Sequence, residues 1–206
     1  MTLALWFGFL LAAILIAVTP GPGAVLSMSV GVRHGYFSAL KAIFGLQVAI
    51  LTHLVIVALG LGAILAASDA AFAVTKLVGA AYLVWLGVQK WRAPVISNPA
   101  TLVVLRRENL FAQGLLVNLT NPKAIIFVGA LVPQFIDATQ PIFVQYLIIA
   151  VTLCVTDILV MSAYALAAVK ISHWLYQPVS TRLQNRIFGG FFVLAGIFLA
   201  NTSRPG

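Results

Sequence analysis

Asp157 is a carboxylate deep in an apolar run, 16 residues after Pro141 and 13 before Lys170. An ionisable group near the middle of a membrane-length segment is costly to keep there and is a functional candidate by default. It can pair with a substrate ammonium, carry a coupling proton, or neutralise Lys123. Tyr164 follows seven residues on, on the same helical face. Lys123 ends the string Asn118-Leu119-Thr120-Asn121-Pro122-Lys123, and a matching string, Thr19-Pro20-Gly21-Pro22-Gly23, interrupts the first apolar stretch. Two prolines remove backbone donors and the glycines permit non-helical dihedrals, so no continuous helix passes through the first string. In the second, Asn121 suits an N-cap and Pro122 the first helical position. A helix start leaves N–H groups unpaired at the positive end of its dipole, which suits an anion such as a carboxylate. Lys123 adds a full charge there, unless its long stem carries the ammonium out to the headgroups.

His53 lies 12 residues beyond Lys41, also deep. It can relay protons or hydrogen-bond across a helix interface, beside the small residues Gly45, Ala49 and Gly60 that allow close approach. Gln47 and Thr52 carry weaker signals. Three scattered histidines and the single Cys154 make no zinc site, and no phosphate-cradling glycine loop occurs. No metal or cofactor is expected, and no enzyme, since paired catalytic groups are missing.

The elements holding these residues must be membrane helices. Of the 206 residues 62% are hydrophobic and 8% charged, against about one-quarter charged in globular chains; mean hydropathy is +1.09. Lipid is the solvent such a surface requires. The net charge of +8 does not point to nucleic acid, because the basic residues sit in short loops where they act as topology signals. Six segments reach or approach the roughly 20 apolar residues of a span: about 3–32 (interrupted), 42–66, 73–91, 110–132, 142–169 and 186–201. No Lys or Arg precedes Arg33, so the first is read as a retained span, not a cleaved signal. Arg33 and Lys41, Lys90 to Arg107, and Lys170 to Arg186 fall in alternate connections, which puts those loops in the cytoplasm and both termini outside. A re-entrant first segment would instead put the N-terminus inside.

The chain divides at a polar connection into repeat one (about 1–91), a linker (about 92–109) and repeat two (about 110–206), all one transmembrane transporter domain. Lys76-x-x-Gly79-Ala80-x-Tyr82-Leu83 parallels Arg186-x-x-Gly189-Gly190-x-Phe192-Val193, and Thr19-Pro20 parallels Asn121-Pro122, at offsets of 110 and 102 residues. Three spans per repeat force the second copy upside down, a common plan for secondary transporters. The fold class expected is all-α: six transmembrane helices as two inverted three-helix repeats with broken first and fourth helices.

Together, Thr19-Pro20-Gly21-Pro22, Gly31 with Gly35, Lys76 to Gly87, Phe111-x-x-Gly114, Asn121-Pro122-Lys123, Pro133-Gln134-Phe135, and Asp157 with Tyr164 resemble the lysine-exporter (LysE/RhtB) superfamily of amino-acid efflux proteins. The lysine-exporting branch usually has an aspartate in the second segment; here His53 is found instead, as in homoserine/threonine- and leucine-type relatives. The resemblance implies efflux of a neutral amino acid or derivative from the cytoplasm across an inner membrane, driven by proton antiport. Thr19, Pro20, Gly21, Pro22, Asn118, Asn121, Pro122, Lys123 and Tyr164 would bind substrate, and Asp157 and His53 would couple protons. The expected partners are the amino acid, protons and the lipid bilayer, with self-association into a homo-oligomer left open. A passive small-solute channel would need a continuous polar lining, and a scaffold subunit has no need of two deep helix breaks.

Overall fold

The computed structural model describes residues 1–67, 109–137, 139–175 and 178–201, with Leu77, Ala80, Ala81, Val84, Trp85, Gly87, Val88, Gln89, Trp91 and Arg92 of the third segment. Lys76, Gly79, Tyr82 and Leu83 of the repeat pattern, and most of the 92–109 linker, lie outside the described residues. Among those described, the regular structure is entirely helical.

The first apolar stretch is two helices, α1 (Leu3–Val18) and α2 (Pro22–His34), bent by 55° across the break at 19–21. The proline-glycine string accounts for the break: α2 starts at Pro22 with Gly21 as its N-cap. The connection onward is Gly35 alone, whose φ of +80° suits a residue without a Cβ. Helix α3 (Tyr36–Ala67) follows directly, so Lys41 sits in its first turns and not in a loop. After the third segment come α4 (Leu110–Leu119) and α5 (Pro122–Ile126), the latter continuing as a π turn over Phe127–Leu131 and a 3-10 turn over Val132–Phe135. The pair from Leu110 to Phe135 is also bent by 55°. The sequence expectation is a half-helix that begins at Asn121-Pro122 and runs toward Pro133. The widened turn before Pro133 has a local cause: a proline ring clashes with the carbonyl four residues back, here at Gly129. Helices α6 (Ile142–Leu175) and α7 (Pro178–Asn201) complete the chain.

Stretches Tyr36–Gly60 and Ile142–Ala168 are long and apolar enough to cross a bilayer, and each bent pair passes the same test as one broken span. Leu3, Phe7, Leu11, Ile14 and Val18 form an exposed apolar stripe on α1, while Phe9, Ala13, Ile16 and Ala17 are buried. A helix apolar on both faces belongs in lipid.

Two apolar cores hold the bundle. One gathers Phe9, Ile16, Ile50, Phe127, Val128, Ile149 and Leu153, the other Leu26, Val30, Ile43, Leu46, Met161 and Ala165. Glycines bring α3 and α4 into backbone contact. A Cβ on Gly114 would strike the Ala42 carbonyl, and one on Gly45 the Phe111 carbonyl. Such close approach is how helices associate where water supplies no driving force.

Candidate functional site

The break after α1 leaves the last carbonyls of that helix without intrahelical donors, and in lipid each must find a partner. The Leu15 carbonyl is met by Thr19 itself, from its amide at 3.2 Å and its hydroxyl at 2.7 Å. The next partners come from the second half of the chain. Lys123 Nζ donates to the Ile16 carbonyl at 2.9 Å and the Thr19 carbonyl at 2.7 Å, and the Tyr164 hydroxyl donates to the Val18 carbonyl at 2.6 Å. Lys123 therefore turns its ammonium to the first break and not to the headgroups. It passes against Gly21, where an added Cβ would sit 3.3 Å from the lysine Cε and Nζ.

The second break closes on its own side chains. Asn121 accepts from the Lys123 amide at 3.1 Å and donates to Asn118 Oδ1 at 3.0 Å, while Asn118 Nδ2 donates to the Leu46 carbonyl at 2.9 Å. Both asparagines are buried, and a satisfied buried amide network holds one geometry. His53 Nε2 faces the Leu119 carbonyl at 3.3 Å, so it serves the end of α4 much as Tyr164 serves the end of α1.

A small chamber opens between the two cores, lined by residues of both. Its polar lining is Asn118, Asn121, Lys123 and Asp157, and its apolar wall includes Ile16, Leu46, Phe127, Leu153 and Met161. Gly23 and Ala24 line it too. Gly21 gives α2 no side-chain cap, and the first intrahelical bond runs from Val25 N–H to the Gly21 carbonyl. The Gly23 and Ala24 amides thus precede the hydrogen-bonded part of the helix, where an anion is favoured. Lys123 and Asp157 give this small chamber one positive and one negative group, which is what an amino-acid zwitterion presents in reverse.

The structure thus gathers Asn118, Asn121, Lys123 and Asp157 around one space. Thr19, Pro20, Gly21, Pro22 and Pro122 shape the two breaks beside it. Tyr164 and His53 stand on helix-end carbonyls and are not in the cavity wall.

Asp157 has a further neighbour to which sequence reasoning gave little weight. Gln47 Nε2 donates to Asp157 Oδ2 at 2.6 Å, and also reaches the Ile43 carbonyl at 3.3 Å. Gln47 is 5% exposed, and its Oε1 is buried with no partner. An orphaned buried acceptor costs about 1–3 kcal/mol, so an apolar side chain would pack here at less expense. The signal that could have found Gln47 is its separation from Asp157, 110 residues, the offset between the paired motifs of the third and sixth segments.

The family model for LysE type translocators matches residues 14–203. The chain is 44% identical over 202 residues to a protein of Salmonella typhimurium named homoserine/homoserine lactone efflux protein, with 98% of each chain covered. It is 40% identical to an uncharacterized membrane protein of Vibrio cholerae, covering 97% of this chain and 98% of that one. A leucine efflux protein of Salmonella typhimurium is 32% identical, with 91% of each covered. No solved structure matches.

Proposed function

This chain belongs to the family of LysE type translocators, and we propose that it exports a neutral amino acid or derivative of the homoserine kind from the cytoplasm by proton antiport. The observation carrying this reading is the pairing of Lys123 and Asp157 across one small, mostly apolar chamber. The substrate carboxylate would lie against Lys123 and the Gly23 and Ala24 amides, and its ammonium against Asp157. One positive and one negative group leave no surplus charge for a dibasic substrate. The relative named for homoserine and homoserine lactone, alike over almost its whole length, supports a short side chain against the apolar wall.

The architecture in this reading is six spans in two inverted repeats, 1–91 and 110–206 about a short linker, in an inner membrane. Helix directions support it. Gly114 lies on Ala42 and Asn118 on Leu46, so α3 and α4 run parallel. Trp6 bonds Thr152 and Tyr164 bonds Val18, so α1 and α6 run parallel. Trp91 bonds the Arg186 carbonyl while Gly196 lies on Ala80, so the third segment and α7 are antiparallel. Six alternating spans require these three relations. Residues related by a two-fold axis touch each other only near the axis, and two contacts at the repeat offsets of 110 and 102 residues, Gln47 with Asp157 and Gly21 with Lys123, support such an axis. The chamber would then lie at the repeat interface, where rocking one repeat against the other exposes it to each side in turn.

Purified protein in liposomes, given a panel of labelled amino acids with and without a pH gradient, tests the reading. Homoserine-class efflux accelerated by a proton gradient is expected, with little movement of lysine. Flux indifferent to the gradient would favour a passive channel.

A further inference from the structure

Coupling by exchange requires that proton and substrate not occupy the site together, and the contacts of Asp157 suggest how that is arranged. Its Oδ2 is held by Gln47 Nε2, and among the described residues this is its one hydrogen bond. The other oxygen, Oδ1, has no hydrogen bond among the described residues and is not one of the buried orphaned atoms, on a residue that lines the chamber. We propose that Gln47 is the positioning residue for Asp157, reserving Oδ2 so that the coupling proton and the substrate ammonium compete for Oδ1 alone. The proposal rests on the proton-antiport reading of Asp157 and adds the device that makes the two occupancies exclusive.

The amide contact survives the whole cycle. When Asp157 is ionised, Nε2 donates to a carboxylate oxygen; when a proton from the aqueous side bonds to Oδ1, Oδ2 becomes the acid carbonyl and still accepts. The substrate ammonium then finds no anionic oxygen. When the proton leaves to the opposite side, Oδ1 regains its charge and can hold the ammonium. Gln47 itself carries no charge and exchanges no proton. Its orphaned Oε1 fits this role, because the residue is kept despite an unmet acceptor. Among the described residues, the groups facing Asp157 from the packed elements are few. Lys123 shares the chamber from the second break, and Cys154 lies one turn back on α6. Tyr164 and His53 are committed to the Val18 and Leu119 carbonyls, and α1 and α2 bring no ionisable side chain to the chamber wall.

Gln47→Met keeps length and apolar volume but cannot hold Oδ2. In proteoliposomes this variant should keep substrate exchange between equal pools within about threefold, while accumulation driven by a pH gradient falls at least about tenfold, the weight of one charge-assisted hydrogen bond. Asp157→Asn should abolish accumulation, and adding Gln47→Met to it should change nothing further. Accumulation retained in Gln47→Met but lost in Asp157→Asn overturns the role of Gln47 and leaves that of Asp157 standing. Substrate exchange that falls further in the double variant than in Asp157→Asn alone also overturns it, since Gln47 would then act elsewhere. Accumulation retained in Asp157→Asn removes the coupling role of Asp157 and, with it, the proposal. If Gln47→Met does not yield monodisperse protein, Gln47→Asn, one methylene too short to reach Oδ2, takes its place with the same outcomes.

Discussion

Lys123 carries two duties at once. It closes the Ile16 and Thr19 carbonyls at the negative end of the α1 dipole, and it supplies the cation of the chamber. Lys123→Ala should therefore weaken substrate binding by roughly 10- to 150-fold, the equivalent of about 1.5–3 kcal/mol for one lost charge-assisted contact. Lys41→Ala, on an exposed position of α3, should bind as the parent does. Equal affinities for the two variants, measured by equilibrium binding of labelled substrate, would separate Lys123 from the site. Tyr164 makes the contrasting case. Its hydroxyl serves the Val18 carbonyl, so Tyr164→Phe should lower thermal stability in detergent by about 0.5–1.5 kcal/mol while leaving KM near that of the parent. A tenfold rise in KM without loss of stability would mean that the hydroxyl reaches the substrate.

At the scale of elements, the two helix breaks were legible from Pro20, Pro22 and Pro122, because proline states its backbone demand locally. The presence of Asp157, Lys123 and Asn121 near one another followed from depth: each lies about half a bilayer from a basic loop. What stayed hidden was which carbonyls these side chains would meet, since helix-end pairing depends on how two distant segments are rotated. For that reason the sequence reads Tyr164 as a substrate-binding residue and Gln47 as a weak signal, and only packing shows one capping α1 and the other holding Asp157. The close pair Gly45 and Gly114 was half legible, as small residues without a known partner. The packing makes a sharp prediction there. Gly114→Val must push α4 off the Ala42 carbonyl, and it carries Asn118 and the second break with it. Such overpacking costs about 1–3 kcal/mol, so the variant should show a lowered melting temperature together with weakened substrate binding. Gly60→Ala, where nothing lies within 4 Å of an added Cβ, should behave as the parent in both measurements.

Among the described residues, Arg33 and Asp137 lie toward opposite ends of the bundle, and the helix contacts say what each lies beside. Gly31 abuts Ala165, so Arg33 at the end of α2 lies beside the later part of α6, the end from which the chain proceeds to Arg182 in α7. Asp137 precedes the start of α6 at the opposite end, and the hydroxyl and amide of Thr139 hold its carboxyl below the ordinary range, so it stays charged. Basic loops are retained in the cytoplasm, so the orientation we propose has Arg33 and Arg182 inside and Asp137 outside. The N-terminus follows from the same packing. Trp6 meets Thr152 and Val18 meets Tyr164, so α1 runs along α6 toward the end where Gly31 of α2 meets Ala165. In the architecture we propose, the first bent pair, with 55° at its break, is a broken span whose start lies at the end that holds Asp137. Single cysteines at Thr2, Arg33, Asp137 and Arg182 in a Cys154→Ser background should divide accordingly. An impermeant thiol reagent should label positions 2 and 137 on intact cells, and positions 33 and 182 only after the membrane is opened. Labelling of 33 from outside would invert the molecule in the bilayer. Labelling of 137 but not of 2 would make the first pair a re-entrant loop, and Lys123 would then meet a hairpin returning to its own side.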